Sequence, residues 1–339
     1  MIGASEAHRI VGDATWHAHR TNAPLSEIQF VRLPRELHRK ITFLEEKYFP
    51  PDLERVVLPM AVVRDAAAAI DAPLPRLIFH SSMATSTLLA RVFDQPRTAM
   101  SLAEPIILNE LSALKLRGVE VRPVLDTVLR LLSRSFADGE ATVIKPGNTA
   151  NNLIPDMVAV APKMRGIIIH APVADFLRSV AKKGMVSRII YRRLYSFVTR
   201  ERTLPTGFSA EEIFEQTDLQ IAAMAWLHQH AELNGAAARW PGMFRTIDSQ
   251  TFLERKADTL RAAAAHFAID LDADAIAASD VFQTHSKERE RPFNDSQRAE
   301  EYARTQSAYG EEIDMVAAWV EAVGEHVGVP LVLPCPLLA

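Results

Sequence analysis

The chain has 339 residues, 48% hydrophobic and 24% charged, enough to bury a sizeable core as one large domain or two smaller ones. A net charge of −4 and a pI near 6.3 give no global field toward nucleic acid or anionic membrane, although a local basic patch stays open. The single cysteine, Cys335, excludes an internal disulfide and a thiolate metal cluster, and no metal site is expected. No run reaches the ~18 apolar residues of a membrane span, the first residues lack a signal-peptide core, and Ile2 excludes myristoylation. A soluble, cytoplasmic protein is expected, with no membrane span and no nucleic-acid partner.

Residues 1–72 read as an N-terminal extension packing on the core, with a strand at 28–32 and a helix from 34 to 48 that Pro50-Pro51 ends. DAPLP leads into residues 73–339, the main domain. There, β-rich runs at 76–80, 98–103, 141–145, 165–170 and 243–247 alternate with helical patterns at 86–93, 105–116, 123–136, 173–183 and 210–238. Such alternation predicts an α/β fold, a parallel sheet flanked by helices on both faces. The last third is helical at 257–267 and 296–327, interrupted by THSKERERPFND, a charged loop where Lys287, Arg289 and Arg291 alternate with Glu288 and Glu290.

In open parallel sheets ligands gather beyond the carboxyl ends of the strands, which singles out His80 to Thr87, Glu104, Lys145 and His170 to Ser179. LIFHSSMATSTLLARVF, at 77–93, runs from strand through a polar turn into a helix, a layout that aims amides and hydroxyls at an anion. It lacks the Gly-Lys of a Walker A loop, and its serines and threonines also suit an ordinary helix cap. Glu104, ahead of Pro105, reads as a functional strand-end carboxylate or as a carboxylate at a helix start. Lys145, in VIKPGN, reads as a solvated lysine or, with an anion loop, as its cation. His80 and His170 are second choices as base, with a hydrogen-bonded structural histidine the better reading of both, and His17, His19, His228 and His230 read as structural or solvated. The G-x-S-x-G hydrolase elbow is absent.

STLLARVFDQP followed by AEP resembles the sulfuryl-donor loop of the P-loop sulfotransferase family. FRTIDSQTFLERKADTLRAAAAHFAID is similar to that family's late strand, the acidic residue after it (Asp248) and the next helix. IIIHAPVADFLRSVAKKG is similar to the segment in which the family places a serine, here Ser179, on the donor's 3′-phosphate. The resemblance implies a P-loop NTPase-like parallel sheet with an N-terminal extension and a helical C-terminal region. It implies transfer of a sulfuryl group from 3′-phosphoadenylyl sulfate (PAPS), the co-substrate, to a hydroxyl or amine of a small-molecule acceptor, without metal. The donor would lie on Ser82, Met83, Ala84, Thr85, Ser86 and Thr87, with Arg178 and Ser179, and with Lys287 and Arg291 from the C-terminal basic segment. Glu104 would be the base, and Lys145 would stabilise the leaving phosphate.

Departures from the family are specific. The loop has no basic residue near Met83 and no glycine near Thr85, the usual arginine ahead of the phosphate serine falls on Ala171, and the cytosolic branch's histidine falls on Gly147. Cations must then come from Lys145, Arg178 or Lys182, and from Lys287, Arg289 and Arg291. Tyr191, Tyr195, Phe197 and Trp16 are candidates for an acceptor wall, with plain packing the better reading. Two other functions stay open: an ATP/Mg²⁺-dependent P-loop kinase, against which the missing Gly-Lys counts, and a non-catalytic scaffold, which Met83, Thr85 and Ala171 would suit. The sequence leaves room for a homo-oligomer.

Overall fold

The computed structural model describes residues 4–71, 74–284 and 295–338. Three strands, β1 (Trp16–Thr21), β2 (Glu27–Arg32) and β3 (Arg55–Pro59), form an antiparallel sheet in that order. Five more, β4 (Arg76–His80), β5 (Ala99–Ala103), β6 (Ala141–Lys145), β7 (Arg165–His170) and β8 (Phe244–Asp248), form a parallel sheet flanked by helices. Its strand order is β5-β6-β4-β7-β8, and β5 pairs with β6 in register from Ala99 and Ala141 to Ala103 and Lys145. The expected α/β class is therefore present. The strand predicted at 28–32 is β2, whereas β1 and β3 were not anticipated. In β1, His17 and His19 are as buried as Trp16 and Ala18, so no polar-apolar alternation marks the strand.

Two helix expectations fail for identifiable reasons. The helix predicted over 34–48 is confined to Arg35–His38, with a 3-10 turn at Glu46–Tyr48. Between them Leu44 donates its amide to the Ala103 carbonyl (2.8 Å) and accepts from the Ile106 amide (3.2 Å), bonds that a helical Leu44 would forfeit. The pattern over 210–238 splits into Ala210–Glu215 and Asp218–Arg239. Thr217 opens the second helix with a reciprocal capping box, accepting from the Gln220 amide (3.2 Å) while its own amide donates to Oε1 of Gln220 (2.9 Å).

Internal contacts divide the chain into two compact units: Met1–Phe79, Thr87–Gly166 and Ala263–Ala273 in the first, and His80–Ser86, Ile167–Ala262 and Asp274–Ala339 in the second. The first is organised around Arg134. Its guanidinium donates to the carbonyls of Leu131 (2.7 Å), Val11 (2.6 Å), Asp13 (2.8 Å) and Trp16 (2.6 Å), tying the N-terminal helix Ala4–Gly12 and β1 to the end of the helix Arg122–Leu132. Burial lowers the pKa of this arginine to about 10.

In the second unit, the helix Asp218–Arg239 is buried along most of its length against Gly184–Glu201. The C-terminal segment lies along β8, where Thr246 donates to the Cys335 carbonyl (2.9 Å) and accepts from the Leu337 amide (2.7 Å). That pairing covers a sheet edge. Among the described residues, no helix is long and apolar enough to cross a membrane.

Candidate functional site

β4 stands where the strand order reverses, with β6 on one side and β7 on the other, so the turn leaving its carboxyl end occupies the place where open parallel sheets bind ligands. Ser82 (φ 71°), Met83 (φ 51°) and Thr85 (φ 60°) are all in the left-handed region. None is glycine, so each costs roughly 1–2 kcal/mol. Against a total stability of about 5–15 kcal/mol, strain of that size needs support.

The second unit provides that support. Ser81 donates its amide to the Ile169 carbonyl (3.4 Å), and its Oγ accepts from the Ala171 amide (3.2 Å). The Ser82 amide donates to Nδ1 of His80 (3.1 Å), which leaves the ring proton on Nε2 and makes His80 a brace of the turn. Ser82 Oγ and the Tyr191 hydroxyl are 2.7 Å apart, and Lys183 Nζ donates to Met83 Sδ at 2.8 Å. Among the described residues, no hydrogen bond engages the amides of Met83, Ala84 or Thr85. Ser86 and Thr87, both buried, open the helix Ser86–Val92.

On the helix Val173–Lys182, Asp175, Arg178, Ser179 and Lys182 share one face. Arg178 is buried, donates to Asp175 and to Oε1 of Gln306 (3.2 Å), and lies 3.7 Å over the ring of Tyr302. It thereby holds the long helix Asp295–His326 in place. Lys182 pairs with Glu301 of the same helix, and Ser179 is half-buried beside Arg178. The cation that reaches the strained turn is Lys183, which the sequence reading passed over. The one sequence signal for it is Gly184, which takes the left-handed conformation (φ 64°) that ends a helix and leaves the residue before it exposed. Lys287, Arg289 and Arg291 lie outside the described residues.

In the first unit β5 and β6 end together. Glu104 takes the left-handed conformation (φ 53°), and its amide donates to the Lys145 carbonyl at 2.6 Å. Lys145 Nζ donates to Glu104 Oε1 at 2.5 Å, with the ammonium 5.6 Å from the centre of the Phe43 ring. The lysine side chain is fully buried, while that of Glu104 is 20% exposed. Lys145 is thus no solvated lysine, and Glu104 is no helix cap. Beyond them, a Cβ on Gly147 would stand 2.6 Å from Oδ1 of Asn109, so a histidine there would displace Asn109.

The ends of β7 and β8 are closed differently. Asp248 caps the helix Ser249–Glu254, accepting from the amides of Gln250 (3.0 Å) and Thr251 (2.9 Å) and from the Thr251 hydroxyl (2.5 Å). Burial alone would raise its pKa, but the Thr251 bonds and nearby His170 outweigh burial and lower it. His170 is edge-on to His230, which stacks on Trp226. Burial lowers both imidazoles to about 4, opposed at His170 by Asp248 and reinforced at His230 by His170. Ala171 is fully buried, and its carbonyl accepts from Trp226 Nε1 (3.0 Å).

No protein-family model matches the chain, and no curated protein does. Among solved structures, the sulfotransferase domain from the curacin biosynthetic pathway is similar over 71% of this chain and 99% of that one, with 10% identity and a TM-score of 0.42. At that TM-score the likeness carries no weight for the site or its chemistry.

Two groupings of the expected residues stand on geometry. The second unit joins Ser81, Ser82 and Met83 to Ala171, Lys183 and Tyr191, a turn with strained backbone, unengaged amides and a nearby ammonium. The first joins Glu104 to Lys145, a carboxylate that accepts from a buried ammonium. A turn of the first kind suits a phosphate or sulfate, because successive amides in such conformations converge on anions. A pair of the second kind suits proton abstraction and charge stabilisation. Of the expected wall residues, Trp16 and Tyr191 are buried; Tyr191 is edge-on to Phe176, and Tyr195 is edge-on to His228.

Proposed function

We propose that the protein is a sulfotransferase with a P-loop-type sheet, moving the sulfuryl group of PAPS to a hydroxyl or amine of a small-molecule acceptor. One observation carries this reading: Ser82, Met83 and Thr85 hold left-handed backbone in a turn without glycine, at the carboxyl end of the strand where the order reverses. Such strain persists where it is used. Here its use would be to turn the amides of Met83, Ala84 and Thr85 toward the phosphosulfate, with Ser86 and Thr87 as hydroxyl donors. Lys183 supplies a cation that the turn itself lacks. Ser179, Arg178, Lys287 and Arg291 are assigned to the nucleotide's 3′-phosphate and its cover.

In the reaction the acceptor oxygen or nitrogen attacks sulfur, the bond from sulfur to the bridging phosphate oxygen breaks, and 3′-phosphoadenosine 5′-phosphate leaves. Glu104 takes the acceptor's proton, and Lys145 stabilises the charge that develops on the departing phosphate. A transferred sulfuryl group carries one negative charge, less than a γ-phosphoryl group, so the chemistry does not demand a bridging Mg²⁺.

Calorimetric titration with 3′-phosphoadenosine 5′-phosphate and with ATP·Mg²⁺ tests the reading. Tight binding of the first alone is expected. Binding of ATP alone would assign a kinase, and binding of neither a scaffold.

A further inference from the structure

The helix Gly184–Glu201 buries Ser187, Tyr191 and Leu194 on one side. On the other, Met185 is 75% exposed, Val186 70%, Ile189 45% and Ile190 52%. At about 100° per residue these four residues form one stripe, which Arg193 and Arg200 continue toward the C-terminal end. Apolar surface gathered in this way on a soluble unit marks a contact with something apolar.

The charges say what kind. Arg188 and Arg192, at the flank, are held by Asp218 at 3.9 and 2.6 Å, whereas no ion pair holds Arg193 or Arg200 among the described residues. The helix has one acidic residue, Glu201, and it is the last. Lys182 and Lys183 precede the helix, engaged with Glu301 and Met83. Apposed to a copy of itself the stripe would bring Arg193 and Arg200 to a helix whose one carboxylate is its last residue and whose flanking Asp218 is already paired with Arg188 and Arg192. Apposed to a bilayer of anionic lipid, the four apolar side chains would enter the acyl boundary while the arginines meet the headgroups.

We propose that this face docks the protein on an anionic lipid surface, with the helix lying in the interface. Tyr191, on the opposite side of the helix, holds Ser82, which would set the strained turn about one helix diameter, ~10 Å, from the lipid. The proposal stands on the helix alone and is independent of sulfuryl transfer.

Co-sedimentation of the full chain with phosphatidylcholine vesicles, with and without phosphatidylglycerol, tests it. Binding to the phosphatidylglycerol vesicles is expected, falling about tenfold or more in I189E/I190E. R193Q/R200Q should lose about fivefold per arginine, an effect that high salt removes. All four positions lie on the outward stripe, so unchanged melting of the variants will confirm that they fold. The proposal is overturned by absence of binding to the phosphatidylglycerol vesicles, or by binding that survives I189E/I190E. A wild-type dimer in light scattering that I189E/I190E converts to a monomer would also overturn it, making a second copy the occupant.

Discussion

The turns that leave β4 and β5 hold left-handed non-glycine residues, whereas those that leave β7 and β8 hold none. After β8, Asp248 spends both carboxylate oxygens on a helix start, and after β7 both backbone groups of Ala171 are bonded. After β4 the turn is strained and three amides are unengaged among the described residues; after β5 a carboxylate faces a buried ammonium. A polar residue at a strand end is therefore not by itself a sign of function. What sets the β4 end apart is that local structure does not consume its turn amides among the described residues; the β5 end differs in the left-handed backbone of Glu104 and in pairing its carboxylate with a buried ammonium.

The largest expected effect lies at the β5 end. Glu104→Gln should lower turnover by about 10²–10⁴, read as release of 3′-phosphoadenosine 5′-phosphate with a panel of simple acceptors, and leave affinity for that nucleotide nearly intact. Lys145→Ala should weaken both. Since either change breaks an ion pair around a fully buried ammonium, melting must be measured alongside. If turnover survives in folded Glu104→Gln, the base is misassigned and the β5 end loses its distinction.

The closed ends should govern stability in acid. His170 and His230 titrate near 4 when folded but near 6.5 when unfolded, so the unfolded chain binds protons that the native one refuses. Stability should fall as pH drops from about 6.5 to about 4, by up to ~3 kcal/mol per imidazole. His170→Asn should remove about one proton from that dependence. An unchanged slope in denaturant titrations across this range would contradict the assignment.

Smaller changes separate strain from capping. Met83→Gly and Thr85→Gly should each stabilise the unliganded protein by about 1 kcal/mol, because glycine takes the left-handed region without cost. Asp248→Ala should destabilise it by about 1 kcal/mol through the lost cap. Destabilisation in both glycine variants would remove strain from the account. The smallest effect is expected at Lys183→Ala, about fivefold weaker nucleotide binding that shrinks with salt, with Lys182→Ala nearly silent; equal effects would deny Lys183 its role.

Much of the main sheet was legible because strands buried on both faces read as continuous apolar runs, as in LIFH and IIIH. The strand-end rule then led to Glu104 and Lys145 before any contact was known. The strain in the β4 turn was not legible, since Ser, Met and Thr carry no signal for left-handed backbone as Gly or Asn would. Lys183 was missed although the predicted helix 173–183 ends on it, because its contact with Met83, a hundred residues away, is one that no local pattern encodes. The helix predicted over 34–48 was overridden by a long-range backbone pairing at Leu44, which no local propensity encodes.

The most direct test of the central claim follows the backbone amides of the β4 turn by ¹H–¹⁵N correlation while 3′-phosphoadenosine 5′-phosphate is added. The account predicts saturable shifts at Met83, Ala84 and Thr85 that exceed those at Gln250 and Thr251, whose amides Asp248 already holds. Saturation of the protein with no movement at those three amides would contradict it.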